Sequence, residues 1–293
     1  MSMSQGLHAL LYFGNKDWRG VIDAYASDPH LRTKDLITLG MSYCYLGRFL
    51  ECYHLLSRHN VLDEIRREAA QNSFIRFIPD CANIFATLPF DTETASTKTV
   101  RRLSDSEFPE CDIGRAYAQA MESKDHEAVS RVAAQISGML ASTDRKTQAL
   151  GYFSYGETYF QGHNYAKALE YYLRAIKLEP QNALYWGFAG QCSHRMLSFR
   201  LLKGETIQKY QMHFVLSSSL SEHAARLDPD YPKWPFQQSL VLHLLSIICD
   251  NNFLHEARQL AGLAYLKCKP GQQDVRSAIV MHISGMEQLA KQK

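Results

Sequence analysis

Between Ala149 and Pro180 the apolar residues fall in two runs at helical intervals. In the first run Tyr152, Tyr155, Tyr159 and Phe160 recur every three or four residues, which puts them on one side of a helix. In the second run Ala168, Tyr172, Ala175 and Ile176 do the same. The polar break between them, Gln161-Gly162-His163-Asn164, predicts a tight turn. Gly162 suits a left-handed helix end, and Asn164 suits an N-cap. Pro180 cannot continue the second helix and biases Glu179 away from helical geometry. Gly156 lies mid-helix, where glycine costs about 1 kcal/mol against alanine. That cost is tolerable where a second helix must come close, with Tyr159 and Tyr172 filling the space beside the contact. The pattern predicts an antiparallel helix pair joined at its small residues.

The window resembles a tetratricopeptide repeat, a helix-turn-helix unit that stacks with its neighbours. Tyr152, Tyr155, Gly156, Tyr159, Ala168, Tyr172, Ala175 and Pro180 stand at that family's signature positions. The resemblance implies an all-α, right-handed superhelix of helical hairpins. One such unit cannot bury its faces alone, so related patterns are expected on both sides.

They are present in weaker form. Residues 183–229 carry Trp186, Gly190, Ala224 and Pro229, with about 15 residues more than the usual repeat, near Leu201 to Tyr210. Residues 232–270 supply an apolar helix and a second helix with Ala257, Ala261 and Ala264 as its small side. Residues 272–293 place Val275, Ile279, Ile283, Met286 and Leu289 on one stripe, as a C-terminal capping helix would. Upstream, residues 111–148 form a pair with Gly114, Tyr117 and Ala128. Residues 1–78 hold degenerate units marked by Tyr12, Trp18 and Tyr25, then by Leu36, Leu39, Gly40, Tyr43, Phe49 and Leu56. Between them, residues 79–110 contain three prolines and many Ser and Thr, and read as a loop or linker.

In the resembled family the first helices line a concave groove that binds a partner. The ligand-facing positions map here to Leu150, Phe153, Glu157, Phe160 and Gln161, then to Leu184, Gly187, Gln191, His194 and Arg195. This mixed aromatic and polar set suits an extended peptide or a partner helix. Repeats that clamp a terminal carboxylate use Lys and Asn where this chain has Phe153, Glu157, Gly187 and Gln191, so that ligand is not expected.

Composition narrows the function classes. The content is 46% hydrophobic and 21% charged, which is globular. A net charge of +2 gives no broad basic footprint for nucleic acid. The seven cysteines are scattered without a CxxC, as expected of buried thiols in a reducing compartment. No metal or cofactor is expected. The apolar run Leu7 to Phe13 is too short for a signal peptide or membrane span, which makes the cytoplasm the default address, with membrane or nuclear attachment only through partners. HExxH, GxSxG and phosphate-loop motifs are absent, so enzymatic function is not expected. In RRLSDSEF two arginines precede Ser104, the pattern of a basophilic kinase site, where phosphate would add about −1.5 to −2 charge. Arg195, Arg200, Lys203 and Lys209 form a local basic stretch. The expected function is a non-enzymatic scaffold or adaptor that binds a peptide or helix of another protein. The alternative is a structural subunit of a stable complex, for example a cytosolic subunit of a membrane-associated assembly.

Overall fold

The computed structural model describes residue 15 and residues 17–25, 31–68, 78–90, 108–202, 211–248 and 252–291. Regular structure among these residues is helical throughout. The helices are α1 (Trp18–Tyr25), α2 (Thr33–Tyr45), α3 (Phe49–Arg58), α4 (Leu62–Glu68) and α5 (Ile78–Thr87). After a 3₁₀ turn at Pro109–Cys111 come α6 (Asp112–Glu122), α7 (His126–Leu140), α8 (Arg145–Gln161) and α9 (Tyr165–Leu178). The series ends with α10 (Ala183–Leu202), α11 (Gln211–Leu227), α12 (Lys233–Ile248), α13 (Asn252–Lys267) and α14 (Gln273–Lys291). From α6 onward each helix packs on the next, giving an all-α hairpin solenoid.

One local device makes several of the hairpin turns. A residue with positive φ follows the first helix: Gly47 (φ 70), Lys124 (φ 57) and His163 (φ 58). The next backbone N–H then reaches back five residues: Arg48 to Tyr43 O at 2.9 Å, Asp125 to Ala120 O at 3.0 Å, Asn164 to Tyr159 O at 2.8 Å. This closes the last turn and satisfies a carbonyl that the helix end leaves free. The left-handed residue in the best repeat is therefore His163, and Gly162 sits at φ −77. The cap follows the sequence: the Asn164 side chain accepts from the Lys167 N–H at 3.3 Å, and Asp125 and Asp144 cap α7 and α8 in the same way.

Close packing within α8–α9 occurs at Gly156, where an added Cβ would meet the Tyr172 ring at 2.5 Å. Beside it Tyr155 and Tyr159 stack on Tyr171, both with centroids 5.4 Å away. In the next hairpin Gly190 approaches Ser221, and the Ser217 hydroxyl donates to the Gly190 carbonyl at 3.0 Å. The added length of that hairpin is helical as far as it is described, with α10 running to Leu202 and α11 starting at Gln211; residues 203–210 lie outside the described set.

The N-terminal helices do not simply prolong the row. They fold back on α11, α12 and α13. The Gly47 turn lies under Leu242, and its carbonyl accepts from Ser218 Oγ at 3.0 Å and Gln238 Nε2 at 3.4 Å. Trp18 stacks on Tyr45 at 4.4 Å, Tyr45 meets Phe253 at 6.1 Å, and Arg19 pairs with Glu256 at 3.0 Å. Arg226 of α11 bridges Glu222 at 2.7 Å and Glu51 of α3, which Arg48 also holds at 2.8 Å.

The segment read as a loop over 79–110 needs correction. Its first part is α5, with Ile78 and Phe85 buried, and the stretch just after it, with Leu88 and Phe90 buried. Pro79 is compatible because it lies in the first turn, where the missing N–H has no helical partner to lose. Phe85 packs on Tyr53, and Phe90 on Trp186 and His223. Ser104 lies outside the described residues.

Candidate interaction face

The first helices of the best-formed hairpins, α8, α10 and α12, carry the residues expected to line a groove. Part of that face is filled by the chain itself. Phe108, just before the 3₁₀ turn, is buried against Phe188, Tyr231 and Trp234, with centroids at 5.8, 5.2 and 6.2 Å. α6 then crosses α8 at Gly114, where an added Cβ would lie 2.2 Å from Glu157 Cβ. Gly187 is covered by Trp234, whose ring carbons would sit 2.1 Å from an added Cβ.

These contacts correct the expectation for four residues. Gly187 is buried, and Phe153 is 0% exposed, Glu157 2% and Leu184 2%, so no partner reaches them in this structure. Phe153 packs on Tyr172, Tyr185 and Phe188 at 5.4, 5.0 and 5.3 Å. The other candidates keep solvent access: Gln161 and Arg195 are exposed, while Leu150, Phe160, Gln191 and His194 are half-buried. Phe160 leans edge-on against Tyr165 at 5.4 Å. The face is thus divided into a filled centre around Phe153 and Glu157 and an open margin at the helix ends.

Glu157 is the chemical centre of the filled part. Tyr172 donates its hydroxyl to Glu157 Oε1. Burial pushes the Glu157 carboxyl up to about 7, against the opposing pull of Tyr172, Arg115 and Cys111. Burial likewise pushes the Cys111 and Cys192 thiols up and leaves them unreactive as nucleophiles. On the neighbouring helices burial and Arg195 lower His194 to about 4. Burial, His243 and His194 lower His282 to about 4. Among the described residues no group of three or more His, Cys, Asp or Glu is placed to hold a metal ion.

The two kinds of shift act in opposite directions on stability. Below pH 4.5 Glu157 is protonated in both states. Between 4.5 and 7 only the folded state keeps the proton, so folding weakens as pH rises through that window. For the histidines the unfolded state gains protons first, so folding weakens as pH falls from 6.5 towards 4. Glu157→Gln removes the first effect and keeps an acceptor for Tyr172. Its urea-unfolding free energy relative to wild type is expected to improve by about 3 kcal/mol from pH 4.5 to pH 8. An equal difference at both pH values would show that Glu157 ionises freely.

Sequence reasoning missed Phe108, which lies at the end of a polar, proline-containing segment with no periodic signal. The local clue was one large aromatic beside Pro109. It also gave no weight to the exposed apolar residues of the last helices, Leu263, Tyr265, Leu266, Val280 and Met281.

A search of curated proteins gave no significant match. The tetratricopeptide repeat family model matches residues 149–182, the hairpin α8–α9 with its turn into α10. Through this one detected repeat, set in a solenoid of helical hairpins, the chain is related to the tetratricopeptide repeat family.

Proposed function

We propose that the protein is a non-enzymatic scaffold that works as a structural subunit of a stable multiprotein assembly. The repeat family supports a role in protein–protein interaction. The observation that favours a subunit over a groove-binding adaptor is the filled centre of the concave face. Phe108 packs on Phe188, which in turn lies against Phe153, and α6 crosses at Glu157, where a groove-bound peptide would run. Partners are then met at the margin and ends of the array. No described helix is long and apolar enough to cross a membrane, so attachment to one, if this is a membrane-associated assembly, runs through other subunits. A cytoplasmic address goes with this reading.

Size fractionation of native lysate tests it. The endogenous chain is expected at a mass several times its own 33.5 kDa, with partners at near-equal stoichiometry after stringent washing. Elution at the mass of the free chain would overturn the subunit reading. A narrower adaptor reading survives on Phe160, Gln161, Gln191, His194 and Arg195, which stay accessible. Under it, Phe160→Ala with Arg195→Glu would release a partner without altering the fold.

A further inference from the structure

The hairpin α6–α7 is thinly held. In α6 only Gly114 and Ala120 are buried, and in α7 only Ile136. The next hairpin, α8–α9, buries Ala149, Phe153, Ala168, Tyr172, Ala175 and Ile176. α6 and α7 pack on each other and on α8. Just before α6, Phe108 and Cys111 are buried as well, Phe108 beside Phe188, Tyr231 and Trp234. A unit with so few buried apolar side chains opens at a lower free energy than the core it leans on.

Under this hairpin lies a carboxyl that the closed state holds poorly as a charge. Glu157 is enclosed where α6 crosses α8 at Gly114. It faces the Tyr172 hydroxyl of α9, the Cys192 thiol of α10, and Cys111 and Arg115 of the covering segment. Tyr172 donates to it, but among the described residues no cation pairs with it directly. Arg115 Nη2 donates instead to Asp112 at 2.7 Å and to the Phe108 carbonyl at 3.2 Å. Burial pushes the carboxyl up to about 7, so it is half protonated near neutrality. Around it, α9 and α10 are fixed by the aromatic cluster of Phe153, Tyr172, Tyr185 and Phe188. Water therefore reaches Glu157 most readily by the departure of α6.

We propose that Glu157 is a proton latch on the α6–α7 hairpin. Protonated, it lets the hairpin close over α8. Ionised, it favours the open hairpin and uncovers the aromatic cleft of Phe188, Tyr231 and Trp234 that Phe108 fills. The opening belongs to the chain itself and does not depend on which partner it meets. Its sign follows from linkage. Closed, the carboxyl titrates at about 7; open and wetted, at its ordinary 4.5. Below 4.5 both states carry the proton. Above it opening releases the proton, so the opening equilibrium rises with pH and levels off above 7. From pH 6 to pH 8 the rise is about tenfold.

Cys111 reports the open state, because it is buried on the segment that leaves. Cys192, buried and donating to the Tyr165 carbonyl between α9 and α10, reports global unfolding. The full chain is pulsed with N-ethylmaleimide at pH 6 and pH 8, and each labelled cysteine is quantified by peptide mass spectrometry. Dividing each rate by that of the urea-unfolded chain at the same pH removes the ionisation of the thiol itself. The Cys111 quotient is expected to exceed that of Cys192 and to rise about tenfold from pH 6 to pH 8. Glu157→Gln, which keeps an acceptor for Tyr172, is expected to flatten the rise. Phe108→Ala is expected to raise the Cys111 quotient at both pH values and keep the rise, which separates the anchor from the latch. Circular dichroism checks that both variants fold. Equal quotients for Cys111 and Cys192 in the wild type would show global unfolding alone and overturn the proposal. So would a Cys111 quotient that does not rise with pH, or a rise that persists in Glu157→Gln.

Discussion

Phe153→Ala is expected to cost about 3–5 kcal/mol of folding stability, the range for truncating a fully buried aromatic. Phe153 has no exposed surface and touches three aromatic rings, from α9 and α10. Removing it leaves a cavity that Tyr172 cannot fill, since its ring is held against Gly156 and its hydroxyl against Glu157. Urea denaturation followed by circular dichroism measures the loss. A change below about 1 kcal/mol, the size of a surface substitution, would return Phe153 to the open groove. Phe160→Ala is the internal comparison. Phe160 is half-buried, packed at the edge of the core and edge-on to Tyr165, so its truncation should cost clearly less.

The second large effect concerns the join between the folded-back N-terminal helices and the array. Arg226→Met is expected to destabilise by about 3 kcal/mol, the lower end for breaking a buried ion pair, because the guanidinium keeps 30% of its exposure. Burial pushes the Glu51 carboxyl up, but the neighbouring Glu222 carboxyl and the guanidiniums of Arg226 and Arg48 lower it to about 2. Burial and the Glu51 charge push Glu222 the other way, so Glu51 is the carboxyl of the two that holds the charge. Arg226→Met leaves the Glu51 charge to Arg48 alone. In a background carrying both Glu51→Gln and Glu222→Gln the charged partners are gone, and the same substitution should cost under about 1 kcal/mol. An undiminished loss in that background would show that Arg226 acts by packing instead of charge.

The sequence carried the hairpins where small and large residues alternate at fixed places. Gly156 with Tyr172, and Asn164 as a cap, are local features, and local features leave a periodic trace. Ile78–Thr87 left none that outweighed its flanking prolines and the Ser/Thr run beyond it. Phe108 was out of reach for another reason. It binds residues about 80 to 126 positions away, at Phe188 and Trp234, and no local rule pairs them. The groove assignment failed at Glu157, where α6 crosses, at Phe153, which Tyr172, Tyr185 and Phe188 enclose, at Gly187, which Trp234 covers, and at Leu184, which is buried. It took those positions from the resembled family and did not foresee that the chain would supply its own filling. At Gly162 the residue type misled, because the left-handed step falls on His163.

The back-folded arrangement also sets an order of events during synthesis. The Gly47 carbonyl is held by side chains 171 and 191 residues later. At about 5–20 residues per second, α2 and α3 leave the ribosome roughly ten seconds or more before α11 and α12 exist to receive them. During that delay Tyr45, Phe49 and Leu50 have no native surface to bury against from the later helices. The nascent N-terminal third is therefore the stretch a chaperone would hold, and its release is timed by the arrival of residues 211–257.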